Sequence, residues 1–107
     1  MPSAPVQIQV YSSSNQFLGF VSVQLPDDQF QEILAKYPPE GFTGQNRKVN
    51  EAIRDGITKE EAERIARHLD LSHDSKLKFE LYAGIPQAVD HAKPTFEMDG
   101  RKFWILP

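Results

Sequence analysis

The side chains best suited to catalysis in this sequence are three histidines, each with an aspartate close by. The pairs are His68 with Asp70, His73 with Asp74, and His91 with Asp90. An imidazole beside a carboxylate can bind a divalent metal or transfer a proton near neutral pH, so a small His/Asp-dependent hydrolase or metal-dependent enzyme is one alternative. The spacings match no known ligand pattern, and these residues equally suit a helix end and turns. We therefore predict a protein that is not an enzyme and has no catalytic residue, metal or cofactor.

A second candidate site is a glycine-rich turn that leads into a predicted helix and could bind an anion. Its candidate residues are Thr43, Gly44, Arg47 and Lys48. Cations are unfavourable near the positive N-terminal end of a helix dipole, and a bound phosphate or carboxylate would offset that repulsion. The phosphate-loop consensus is absent. The alternative is that Arg47 and Lys48 are two solvated charges.

The hairpin formed by residues 94–106 carries the clearest structural signal. Its Asp99-Gly100 pair predicts a two-residue turn in which both central residues have positive φ. This register pairs Met98 with Arg101, Glu97 with Lys102, Phe96 with Phe103, and Thr95 with Trp104. Because paired residues share a face of the sheet, Trp104, the only tryptophan, is expected on the polar face of its strand.

Hydrophobic periodicity predicts the elements that must position these residues. Alternation over 6–11 and 17–25 indicates an N-terminal hairpin, helical spacing follows over 27–37, 49–55 and 58–69, and alternation returns over 76–83. We therefore predict an α+β domain with the order ββααα-βββ. Its antiparallel sheet has four or five strands, including a C-terminal meander, and two or three helices pack on one face. Residues 1–107 form a single domain, with 1–5 as a disordered tail.

The sheet face opposite the helices is the main candidate surface. In the second strand, alternation places Phe17, Val21, Val23 and Leu25 on one face and Leu18, Phe20 and Ser22 on the other. The predicted partner-binding residues on the outer face are Trp104, Tyr82, Lys102, Lys78, Phe20 and Tyr11. Aromatic side chains edged by lysines suit a protein partner, a second copy of the chain, or a single strand of RNA. The alternative is that a helix or a loop such as 84–93 covers them.

Composition limits the remaining function classes. The 107 residues include no cysteine, and the net charge of −3 gives no overall attraction to nucleic acid or anionic lipid. No apolar run approaches the roughly 20 residues of a membrane span, so we expect a cytoplasmic protein. The sequence favours a small regulatory, adaptor or inhibitor-type protein that binds another protein, with binding of single-stranded RNA as the alternative.

Overall fold

A computed structural model describes residues 5–38, 47–69, 76–84, 89 and 93–106. The elements in chain order are β1 (Val6–Tyr11), β2 (Phe17–Gln24), α1 (Asp27–Lys36), α2 (Arg47–Asp55), α3 (Lys59–His68), β3 (Lys78–Leu81), β4 (Phe96–Met98) and β5 (Arg101–Leu106). They confirm the predicted α+β class and the order of strands and helices.

The five strands form one sheet in the order β3-β1-β2-β5-β4, and all neighbours are antiparallel. The N-terminal hairpin β1–β2 is central, β3 forms one edge, and the hairpin β4–β5 completes the other side. The predicted C-terminal meander is wrong, because β3 pairs with β1 and lies at the edge opposite β4. The strands β3 and β4, which are consecutive in the chain, therefore lie at opposite edges of the sheet.

The β4–β5 turn has the predicted geometry. Asp99 and Gly100 have φ values of 54° and 80°, as a two-residue hairpin turn requires. The three pairs next to the turn are confirmed, ending with Phe96 opposite Phe103. Beyond them the ladder becomes irregular, since the Thr95 N–H donates to the Phe103 carbonyl, and the predicted pairing of Thr95 with Trp104 is not formed.

The β1–β2 hairpin contains an irregularity that reassigns two side chains. Val10 lies opposite Gly19 but Tyr11 lies opposite Phe17, so one extra residue, Leu18, occupies β2 at this point. A glycine inside a strand is typical of such a bulge. The predicted faces of these two residues are therefore wrong: Leu18 packs against the core, whereas Phe17 shares the outer face with Tyr11.

The helices cover one face of the sheet, which we call the inner face. Thr58 and Glu61 form the expected capping box at the start of α3, where the Thr58 N–H donates to Glu61 Oε1 at 2.8 Å and the Glu61 N–H donates to Thr58 Oγ1 at 3.2 Å. The buried apolar core combines inner-face strand residues with residues of α2 and α3: Ile8, Val10, Val21, Val23, Leu25, Val49, Ile53, Ile65, Phe96 and Phe103. Half-buried side chains of α1 pack against the same core.

An ion pair joins the sheet to the helical layer. The Glu61 side chain is fully buried, and its Oε2 lies 2.8 Å from Nε of Arg101, the residue that follows the β4–β5 turn. This N–H is not aimed directly at the oxygen, so the contact is an ion pair rather than a well-directed hydrogen bond. Arg101 Nη1 also donates to the Gly56 carbonyl at 3.2 Å, at the junction of α2 and α3.

Candidate protein-binding surface

The strand register determines which side chains are neighbours on the outer face, the face opposite the helices. Three rows of paired residues cross β2, β1 and β3 in turn. The first contains Phe17, Tyr11 and Lys78; the second contains Phe20, Gln9 and Glu80; the third contains Ser22 and Gln7, with Trp104 of β5 beside Ser22. Burial increases from the first row to the third.

Four rings form a continuous group at the less buried end, which we call the outer aromatic cluster: Tyr11, Phe17, Phe20 and Tyr82. Neighbouring ring centroids are 5.6, 5.2 and 5.0 Å apart along this series, with edge-to-face angles of 67° to 76°. Phe17 is 47% exposed, whereas the other three rings are half-buried. Edge-to-face contacts stabilise the rings against one another while leaving apolar surface open to solvent.

A hydrogen bond and a close contact with a glycine position the two end rings of the outer aromatic cluster. The Tyr11 hydroxyl donates to Gln9 Oε1 at 2.7 Å, which orients the first ring. At the other end the Tyr82 ring lies against Gly84, where an added Cβ would be 2.5 Å from the Tyr82 hydroxyl oxygen. The position of Tyr82 therefore depends on the absence of a side chain at residue 84.

A shallow recess of about 200 Å³ adjoins the outer aromatic cluster. It is lined by Tyr11, Asn15, Lys78 and Glu80. Lys78 Nζ donates to Asn15 Oδ1 at 2.6 Å, and Asn15 itself has φ 67° in the β1–β2 turn. An apolar surface thus lies beside a recess that offers both a cation and a carboxylate.

The opposite end of the outer face is closed, which corrects the main sequence prediction. Trp104 does lie on this face, beside Ser22, but it is only 6% exposed, and Ser22 and Gln7 are equally buried. We call Gln7, Ser22 and Trp104 the buried row. The chain's own atoms enclose the indole, so the prediction that it meets solvent or a partner is wrong. Val89, which comes between β3 and β4 in the chain, is also buried.

The outer face carries charges of both signs. Exposed Lys78 and Glu80 are two positions apart on β3 and therefore share this face, and exposed Lys102 lies opposite Glu97 in the β4–β5 hairpin. Each predicted lysine thus has a carboxylate nearby. Lys102 is also separated from the outer aromatic cluster by the buried row.

The predicted anion site is described only in part. Thr43 and Gly44 lie outside the described residues. Arg47 begins α2, and its Nε donates to Glu51 Oε1 at 3.0 Å on an exposed helix surface. The Arg47 charge is therefore met by a carboxylate one helical turn later, and Lys48 is exposed beside it.

The histidine pairs give no assembled site in the part of the chain that can be examined. His68 ends α3 and stacks on Phe96, with centroids 5.6 Å apart and an interplanar angle of 2°. The other members, Asp70, His73, Asp74, Asp90 and His91, lie outside the described residues. Among residues 5–38, 47–69, 76–84, 89 and 93–106, no three His, Asp or Glu side chains are grouped so as to hold a metal ion.

Comparisons with protein-family models, with curated proteins and with solved structures give no match for this chain. Across the described ranges, no helix has the length and apolar character needed to cross a membrane.

Sequence reasoning missed Phe17 as a surface residue. Simple alternation assigned it to the core, and the bulge that moves it outward depends on the pairing of β1 with β2. Gly19, inside the second apolar run, was the available signal, since an isolated glycine in a strand pattern often marks a bulge.

Proposed function

We propose that this chain is a small non-enzymatic regulatory or adaptor domain that binds another protein through its outer aromatic cluster. The proposal rests on the exposure of the Phe17 side chain. It is the only exposed large apolar side chain among the residues that the structure describes, and it is in contact with two further rings. Rigid aromatic side chains remove much apolar area from water at a small entropic cost, and for this reason they concentrate binding energy at interfaces.

The charge balance of the outer face favours a protein over a nucleic acid as the partner. A groove for single-stranded RNA combines stacked rings with an excess of positive charge along the backbone path. Here Glu80 lies beside Lys78, and Lys102 is remote from the rings and opposite Glu97. A phosphate backbone that follows the outer aromatic cluster would meet the Glu80 carboxylate as well as the Lys78 ammonium group.

The cluster and the recess together suggest the character of the bound segment. Phe17 and Phe20 offer apolar contact, while the adjacent recess offers Lys78 and Glu80 to polar groups. This arrangement suits a partner segment that places an aliphatic or aromatic side chain on the rings and a polar or charged side chain in the recess.

A comparative pull-down tests this function. The wild-type chain, Phe17→Ser and the control Lys59→Ser are immobilised and exposed to native lysate with and without nuclease. Lys59 is exposed on α3, in the helical layer on the other side of the sheet. We expect a protein that the wild type and Lys59→Ser retain, that Phe17→Ser loses by tenfold or more, and that nuclease does not release.

Two outcomes would contradict the proposal. Equal capture by Phe17→Ser and by the wild type would remove the outer aromatic cluster as the binding surface. Loss of the captured protein on nuclease treatment, together with steeply salt-dependent binding of an oligouridine probe, would instead support the alternative of single-stranded RNA.

A further inference from the structure

The free edge of β3 has a sequence that is complementary to itself. The β3 strand is the last strand on its side of the sheet, and no described residue pairs with its outer edge. The Tyr82 N–H donates to the Gln7 carbonyl at 3.2 Å, which identifies the hydrogen-bonded positions of the β1–β3 ladder. Since such positions alternate, the backbone groups of Lys78 and Glu80 also point toward β1. Those of Leu77, Phe79 and Leu81 point away from the sheet.

We propose that β3 pairs with β3 of a second copy, antiparallel and centred on Phe79, to form a twofold-symmetric dimer with one continuous sheet. In this register Phe79 lies opposite Phe79 of the second copy, and Leu77 lies opposite Leu81. The outward backbone groups of the two strands then meet, making about six hydrogen bonds. Each copy completes the edge of the other.

The charges agree with this register. Centring on Phe79 places Lys78 opposite Glu80 of the second copy, and the symmetry repeats the pair. Opposite charges at directly facing positions stabilise a sheet, whereas like charges there destabilise it. Moving the centre by one residue either way would place Lys78 opposite Lys78 or Glu80 opposite Glu80.

Both side chains are available for this pairing. Lys78 and Glu80 are exposed, and Glu80 Oε2 forms a long ion pair of 4.0 Å with Arg54 Nη1, which leaves the carboxylate able to accept from a second cation. Lys78 donates to Asn15 at 2.6 Å, but an ammonium group has three donors and can bind a second acceptor. On the inner face, Leu77, Phe79 and Leu81 are half-buried, so pairing would remove further apolar surface from water.

The other edge of the sheet lacks these properties. The β4 strand has three residues, and Met98 and Phe96 are opposite Arg101 and Phe103 at positions hydrogen-bonded to β5. Only Glu97 directs its backbone outward, and a twofold pairing there would set Glu97 against Glu97. Charged side chains often protect edges from foreign strands. On β3 the alternation of lysine and glutamate disfavours strands that place like charges opposite Lys78 or Glu80, whereas an identical antiparallel strand places opposite charges there.

Charge exchange at the two positions tests the dimer. Sedimentation of the full chain is measured from micromolar to about millimolar concentration for the wild type, Lys78→Glu, Glu80→Lys and the double variant. We expect the wild type to dimerise, each single variant to do so roughly tenfold or more weakly, and the double variant to recover. An equimolar mixture of the single variants should form a heterodimer, because each strand then faces opposite charges only.

Amide exchange gives an independent measurement. Raising the concentration of the wild type should slow exchange at Leu77, Phe79 and Leu81 and leave Lys78 and Glu80 unchanged, since the latter already bond to β1. A wild type that stays monomeric throughout would overturn the proposal, as would single variants that dimerise like the wild type. The two proposals share Lys78 and Glu80, which also line the recess, but their tests are separate: sedimentation is measured on the purified chain without a partner, and the pull-down varies Phe17, which takes no part in this edge.

Discussion

The two ends of the outer sheet face have similar chemistry but different surroundings. Both carry aromatic side chains on the same side of the sheet, Trp104 on β5 and the outer aromatic cluster on β1, β2 and the residue that follows β3. At one end Trp104 is 6% exposed within the buried row, and at the other Phe17 is 47% exposed within the outer aromatic cluster. Ring type and strand face are therefore poor guides to a binding residue on their own. An aromatic side chain on the outer face belongs to a second core layer if other parts of the chain cover it, and to a contact surface if they do not.

Truncating the indole should have the largest effect on stability. Trp104→Ala should lower the free energy of unfolding by roughly 3 to 5 kcal/mol, because it leaves a cavity where a buried ring packed. Urea denaturation followed by circular dichroism measures the change, and Trp104→Phe, which keeps most of the ring volume, serves as the control. A loss below about 1 kcal/mol would show that the indole is not packed in the interior and that the two ends of the outer face do not differ in cover.

A smaller effect is expected at Gly84, at the edge of the outer aromatic cluster. Gly84→Ala should displace the Tyr82 ring, because the new methyl group would lie within 3 Å of three of its atoms, at the free end of a movable side chain. We expect a stability loss of about 1 kcal/mol or less. The ring-proton chemical shifts of Phe20, whose ring is 5.0 Å from Tyr82, should change with it. Unchanged shifts would show that the two rings are not in contact in solution.

A small effect on stability is expected at the most exposed ring. Phe17→Ser should lower the free energy of unfolding by about 1 kcal/mol or less, since the ring is 47% exposed and its contacts are edge-to-face contacts with Tyr11 and Phe20. The same urea experiment measures it beside Trp104→Ala. A large loss here would mean that Phe17 supports the fold, and its effect on partner capture would then have a structural cause.

The hairpins show how far the sequence could predict this architecture. The pairs next to Asp99-Gly100 follow from the local requirement for positive φ, and the capping box at Thr58 follows from residues three positions apart. Strand order depends instead on contacts between distant segments, and the predicted meander was wrong for this reason. Alternation assigned Trp104 to the correct face, but it carried no information on whether other parts of the chain bury the indole. One extra residue in β2 was enough to exchange the faces of Phe17 and Leu18.

The ion pair between Glu61 and Arg101 has a consequence for how the domain opens. If the β4–β5 turn alone withdrew from the α2–α3 junction while the surrounding core stayed packed, the buried Glu61 carboxylate would lose its countercharge at a cost of several kcal/mol. A partly opened state in which only this turn peels away is therefore disfavoured. The layers are bound into one cooperative unit, and thermal loss of either is expected to bring the loss of both in a single transition.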